Sequence, residues 1–332
     1  MDGKQWKKTP EVIARIEELL KYETAGDPMT GLKWTRKTMD KIAEELKGVG
    51  ISVSANTVAR LLREMNYSLR VNHKEIASHS SADRNEQVIY LTKMRKRFAK
   101  QGNPTVSVDT KKKELVGRFK NAGAILSREP ILVNDHDFRS TAAGMAIPYG
   151  IYDTGANRGM VFVGTSHDTP TFAVQAIGRW WSMEGKRRYP EADHLLILAD
   201  GGGSNGPTCR AWKEGIQTGL CDRYGISVTV SHYPTGASKW NPIEHRLFSE
   251  ISKNWAGHPL ESYETILNYI RTTRTEEGLT VRAYLVKKEY ETGVTVSDER
   301  MSQLNLKKHK RLKHWKLHRG AEQNVNLLLR RP

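Results

Sequence analysis

Only two cysteines, Cys209 and Cys221, occur in 332 residues. They lie in one stretch of helical character, match no zinc spacing and make no disulfide framework. Reduced thiols in a cytoplasmic protein are the expectation. No run of about 18 apolar residues occurs, so no membrane span is expected. The opening Met1-Asp2-Gly3-Lys4-Gln5-Trp6 lacks the apolar stretch of a secretory signal. Gly-Lys-Ser/Thr is missing, which excludes a Walker loop. No internal repeat is visible. Acid is scarce relative to base: Lys and Arg number 53 against 37 Asp and Glu, a net charge of +16. Such an excess attracts polyanions. Nucleic acid is the partner it fits best, and a basic protein without a particular partner is the plainer alternative.

What is present starts with helices. Val12, Ile16 and Leu19 repeat at helical spacing, as do Met39, Ile42, Ala43 and Leu46, and then Val58, Leu61, Leu62 and Met65. A glycine-containing turn, Lys47 to Val53, separates the last two, and Ser54 suits an N-cap. The pair reads as a helix-turn-helix, with Asn56, Thr57 and Arg60 placed to touch bases and phosphates. A plain helical pair in a bundle fits the same pattern. Residues 1–70 form this helical domain, and 71–100 a polar linker followed by a basic helix from about Asn85 to Lys100. Residues 301–332 form a basic tail. From Lys307 to Arg319 it holds seven Lys or Arg, three His, Trp315 and no acid, which suits phosphate contacts or a solvated end.

Residues 101–300 alternate differently. Thr105 to Asp109 reads as a strand, with Lys113 to Phe119 a candidate to pair with it. Gly159 to Thr165 is a further strand, 170–183 a helix, and His194 to Asp200 a strand buried on both faces, because its apolar run is continuous. A helix near 206–222, a strand from Ile226 to Tyr233 and a helix opening at Asn241-Pro242 follow. Three strands, then helix, strand, helix, strand, helix is the order of an RNase H-like mixed α/β sheet flanked by helices, here preceded by the small all-α domain.

Asp109 and Asp200 end apolar strands, where α/β sheets place functional groups. Carboxylates there can share two divalent cations for phosphoryl transfer. Each is equally a turn residue by its local context. Asn241-Pro242-Ile243-Glu244 resembles a helix start with Glu244 closing a capping box. A first-turn carboxylate also points back to the sheet edge. Glu250, six residues on, faces roughly 120° away and is a poor substitute. Gly201 to Gly206 contains G-x-G-x-x-G after a buried strand, the form of a dinucleotide loop. Asp200 directly before it would repel a pyrophosphate, and the next strand ends without an acid for a ribose.

Longer stretches carry a resemblance. Val106 to Gly117 resembles the first acidic motif of the Rhodopirellula-type DDE transposases of bacterial insertion sequences. His136-Asp137-Phe138, Ala146 to Gly150, Ala199 to Asn205, Ser238 to Phe248, Gly278 to Ala283 and Thr57 to Leu62 are similar to that family too. Asn241 to Glu244 is also similar to the third-acid motif of mariner-like transposases.

The resemblance implies an RNase H-like core and a D-D-E triad, Asp109, Asp200 and Glu244, holding two Mg²⁺ ions for which Mn²⁺ can substitute. It implies metal-dependent DNA cleavage and strand transfer on double-stranded DNA, namely transposon terminal inverted repeats and a target, by a homo-oligomer assembled on DNA in the bacterial cytoplasm, at the nucleoid, with no membrane partner. Lys111, Lys112, Lys113 and Lys239 flank the acids and suit phosphates or a solvated face. His136 and His245 are accessory candidates, while Asp135, Asp137, Asp153, Asp168 and Asp222 are set aside. Family members usually carry a further DNA-binding segment ahead of the region that begins here, so a truncated form is expected. A non-catalytic, transposase-derived DNA-binding protein is the reading from another class, and a nuclease without strand transfer a third.

Overall fold

The computed structural model describes residues 9–21, 24–26, 33–35, 38–65, 67, 84–125, 129–233, 240–308 and 327–329. The chain divides into two units, Met1–Ile76 and Ala77–Pro332.

The first unit holds α1 (Thr9–Lys21), a short antiparallel ladder of β1 (Thr24–Gly26) with β2 (Lys33–Thr35), α2 (Met39–Gly48) and α3 (Ala55–Glu64). Its core is Val12, Ile16 and Leu20 from α1, Ile42 and Leu46 from α2, and Val58, Leu61 and Leu62 from α3. Two expected core residues differ. Leu20 takes the buried place of Leu19, and Met39, in the first turn of α2, is exposed. Thr38 and Ser54 cap α2 and α3 by accepting from the Lys41 and Thr57 backbone N–H groups. Asn56 is exposed, Thr57 is tied into the Ser54 cap, and Arg60 pairs with Glu64 at 2.6 Å.

The second unit opens with α4 (Arg84–Lys100), then β3 (Thr105–Thr110), β4 (Glu114–Val116), β5 (Gly144–Asp153) and β6 (Arg158–Gly164). Next come α5 (Pro170–Trp180), which runs through a wide turn into α6 (Lys186–Arg188), then β7 (His194–Ala199), α7 (Arg210–Ile216) and β8 (Ser227–His232). The chain continues through α8 (Ser249–Asn254), α9 (Tyr263–Thr272), β9 (Thr280–Val286), α10 (Asp298–Ser302), β10 (Leu306–Lys308) and β11 (Leu327–Leu329). The sheet order is β10-β11-β8-β7-β3-β5-β6-β9, with β4 attached to β5. β5 lies between β3 and β6 and is antiparallel to both, and β7 and β8 extend the sheet parallel to β3. Three antiparallel strands followed by two helix-linked parallel ones make the RNase H-like core.

Two expectations are corrected. Glu114–Val116 pairs with β5, not with β3. The second strand of the core is instead the ten-residue β5, whose Gly144, Pro148 and Gly150 look like strand breakers in the sequence. Within the tail segment, β10 and β11 pair with each other and β11 pairs with β8, so these residues lengthen the sheet.

Alternation sorts the side chains into layers. On β7, Leu195, Ile197 and Ala199 join the core beneath α5 and α7, while Leu196 and Leu198 pack on Leu91, Met94 and Phe98 of α4. The continuous apolar run follows from this double coverage. On β3, Val106 and Val108 face α5 and α7. Ser107 and Asp109 therefore face the opposite side. Among the described residues, no helix is long and apolar enough to cross a membrane.

Candidate active site

The parallel register of β3 with β7 pairs Ser107 with Leu198 and Val108 with Ala199. Continued by one residue, it sets Asp109 beside Asp200, on the face shared by Ser107 and Leu198. Neighbouring strands lie about 4.8 Å apart. Backbone pairing thus brings the two carboxylates to neighbouring positions just past the end of the ladder.

The third acid arrives on a helix that starts at Pro242 and opens, from Glu244 to Phe248, as a wide i+5 turn. Such turns recur at functional sites. Ile243, Leu247 and Phe248 are buried against the sheet, each worth roughly 1.5–3 kcal/mol. Two glycines let the helix lie this close. A Cβ on Gly150 would stand 2.5 Å from the Phe248 ring, and one on Gly159 would stand 2.5 Å from Leu247. Gly150 is the residue that β5 pairs with Asp109. The shallow place on the sheet that seats the helix is therefore next to the first acid.

Asn241 joins helix and strand. The capping box expected at this helix start does not form with the Asn241 side chain. That side chain reaches across to β3, where Oδ1 accepts from Ser107 Oγ at 2.7 Å and Nδ2 donates to Asp109 Oδ2 at 3.4 Å. Its backbone carbonyl still accepts from the Glu244 N–H at 3.2 Å. Burial and a paired polar partner on the strand outweigh an exposed cap, since a buried amide left unpaired is costly. Sequence reasoning missed Asn241, because an asparagine before Pro is also an ordinary helix start.

The electrostatics centre on Asp109. Burial, then the Asp200 and Glu244 charges, push its carboxyl up from 3.8 to about 8, although the Thr110 N–H bonds its Oδ1 at 2.7 Å. Glu244 also lies within hydrogen-bonding reach of Asp109. Asp200 is raised chiefly by burial, against the Gly202 N–H that donates to its Oδ1 at 3.3 Å. Among the described residues, no three carboxylate, imidazole or thiol groups close on one point as a ready-made metal cage. The acids meet at Asp109, from β7 on one hand and from the helix on the other.

The loop after Asp200 is anchored below. Gly203 has a φ of +61°, a value that favours glycine. Asn205, almost fully buried, accepts from Tyr149 Oη at 3.0 Å through Oδ1, and its carbonyl meets His232 Nε2 at 2.8 Å. The glycines therefore form an anchored turn.

The other candidates divide. Lys111 is buried, 3.5 Å from Glu114 and 4.6 Å above the Trp255 ring, and burial lowers its pKa. It is a packed internal cation, not a solvated one. Lys112 is 83% exposed. Lys113 is 4.0 Å from Asp168, and Lys239 lies outside the described residues. His136 stacks on Phe138 and pairs with Asp135 in an exposed loop, while His245 is exposed beside Glu244. Glu250 is taken by Lys253 at 2.7 Å. Of the aspartates set aside, Asp153 is the buried last residue of β5 and accepts from Tyr189 and from two backbone N–H groups of the following turn. Asp168 is different: its Oδ1 accepts from Thr110 and Ser204, and its charge acts on Asp200.

Among solved structures, the Mos1 transposase paired-end complex with the left transposon end is similar at 17% identity, over 78% of this chain and 69% of that one, with a TM-score of 0.43. The Mos1 strand transfer complex is similar at 17% identity over 78% and 68%, TM-score 0.41. The catalytic domain of Mos1 mariner transposase is similar at 11% identity over 59% and 82%, TM-score 0.38. No curated protein matches the chain. The family described as Rhodopirellula transposase DDE domain matches residues 15–319. The chain belongs to this family of transposases, enzymes of the polynucleotidyl-transferase type.

Proposed function

We propose that the chain cleaves DNA strands at transposon ends and joins them to a target, with Asp109, Asp200 and Glu244 holding two divalent ions. The observation that carries this is the meeting of the three acids at Asp109, which burial and two like charges push up to about 8. A carboxylate so crowded gains most from a cation. The donors are all oxygen, as Mg²⁺ or Mn²⁺ requires.

When bound, such a pair of ions supplies charge neutralisation at the attacking and leaving oxygens of an in-line phosphoryl transfer. The protein's residues do the holding. Asp109 gives up its proton and presents oxygens between the other two acids. Asn241 fixes the rotation of the Asp109 carboxylate through Nδ2 and ties it to Ser107. The Gly202 N–H orients Asp200. Lys112 and Lys113, which follow Asp109 closely in the chain and are largely or partly exposed, hold the phosphate backbone. In the first unit, the face of α3 that carries Asn56 is open to DNA. The substrate is double-stranded DNA bearing the inverted repeats that flank the gene, and a homo-oligomer pairs two such ends.

Substituting Asp200→Ala should abolish Mg²⁺-dependent cleavage of DNA carrying those flanking repeats. Retention of the same DNA on a filter should remain. Metal-dependent cleavage that persists in the variant would remove the assignment.

A further inference from the structure

We propose that Asp168 is a positioning residue that clasps the two strand-borne acids together. The inference rests on the metal reading above. The backbone ladder between β3 and β7 ends at Val108 and Ala199, one residue short of both acids. Past that point no described backbone pair joins the two chains. Asp168 enters here from the loop between β6 and α5. Its Oδ1 accepts from Thr110 Oγ1 at 3.1 Å and from Ser204 Oγ at 3.1 Å. Thr110 follows Asp109, and its N–H holds that carboxylate. Ser204 belongs to the turn after Asp200, whose Gly202 N–H holds the second carboxylate. One oxygen therefore bridges the chain segments of both acids.

The clasp is itself braced. Thr169, the next residue, caps α5 by accepting from the Phe172 N–H at 3.2 Å. Lys113 stands 4.0 Å from the other Asp168 oxygen, and the Asp168 side chain is only 15% exposed. Both hydroxyls donate to the same oxygen, so the two segments are held through one shared acceptor. These bonds oppose the mutual repulsion of Asp109 and Asp200 at the place where the sheet no longer holds them.

Calorimetric titration of the full chain with Mn²⁺, without DNA, tests the clasp. Asp168→Ala should weaken Mn²⁺ binding roughly tenfold or more, the usual size for residues that orient metal ligands. Asp168→Asn keeps an acceptor oxygen and should restore most of the affinity. Ser204→Ala and Thr110→Val, which remove the donors one at a time, should each weaken binding and together match Asp168→Ala. They carry the test if Asp168→Ala does not fold. Unchanged Mn²⁺ affinity in the folded donor variants or in Asp168→Ala overturns the clasp. Equal damage from Asn and Ala also overturns it, because charge rather than hydrogen bonding would then be the active property. A wild-type chain that takes up no Mn²⁺ removes the metal reading itself, which is a separate outcome.

Discussion

Asp109 stands on β3 and Asp200 directly follows its partner β7, whereas Glu244 stands on a helix laid across the sheet. The difference lies in what fixes each acid. The strand acids are set by register, and every hydrogen bond of the ladder between β3 and β7 repeats that instruction. The helix acid is set by surface fit: Ile243, Leu247 and Phe248 press onto the places left open by Gly150 and Gly159. Register is all-or-none, since a slip of one residue turns every side chain over. Fit is graded. The helix acid should therefore be the one that a remote substitution can displace.

Gly150→Ala should have the largest effect. The added methyl meets the Phe248 ring at 2.5 Å and Ile243 at 3.0 Å, so the helix has to lift. Strand cleavage should fall about 100-fold, the cost of a misplacement near 1 Å. Gly150→Ala combined with Phe248→Leu should recover part of the loss. A Gly150→Ala enzyme as active as wild type would show that the helix is not seated by the glycines.

The first acid is tested next through its charge, which burial and then the Asp200 and Glu244 charges disfavour. The Asp109 carboxyl is raised from 3.8 to about 8, so a proton on it favours the folded chain. That contribution is complete below about pH 4 and is lost as pH rises through about 8. Asp109→Asn keeps a neutral group at every pH. In metal-free buffer it should match wild type near pH 4 and melt at a clearly higher temperature than wild type at pH 8. Equal melting at pH 8 would mean that burial and the neighbouring charges do not raise the Asp109 carboxyl.

Asn241 links the two systems and should show an intermediate effect. Asn241→Ala leaves Ser107 Oγ, which is fully buried, without its acceptor, at a stability cost of about 1–3 kcal/mol. It also frees Asp109 to rotate, so cleavage should fall roughly tenfold or more. Asn241→Asp keeps the acceptor for Ser107 but adds a fourth charge. If Asp restores stability and not cleavage, the two roles separate.

The same contrast governs what could be read in the sequence. Asp109 and Asp200 were visible because each ends an apolar run, and strands announce themselves through such runs. Glu244 carried a capping pattern that explains it equally well, and only the family motif singled it out. β5 was hidden by Gly144, Pro148 and Gly150, residues that punctuate strands elsewhere. Here Gly150 is needed for helix contact, and the lack of a Pro148 N–H is tolerated. Asp168 has no local pattern that marks it out, because its carboxylate acts on Thr110 and Ser204, 58 and 36 positions away. Lys111 was grouped with its neighbours on charge, although its methylenes and ammonium pack against Trp255 and Glu114.

That grouping supplies the smallest test. Lys112, 83% exposed, and Lys111, buried, are adjacent and chemically identical. If Lys112 meets a DNA phosphate, Lys112→Ala should lower the salt dependence of DNA binding by about one counterion, since each neutralised phosphate contributes about 0.9 to the slope. Its Tm should be unchanged, because an exposed pair with Glu114 at 3.8 Å contributes little. Lys111→Ala should do the reverse, lowering Tm while leaving the slope alone, because it empties the contact over Trp255 and removes the nearer partner of Glu114. Filter binding across a salt series, beside thermal melts of both variants, distinguishes the two lysines. A slope change from Lys111→Ala without loss of stability would place that lysine on the DNA. The seat of the Asp109 strand would then have to form without it.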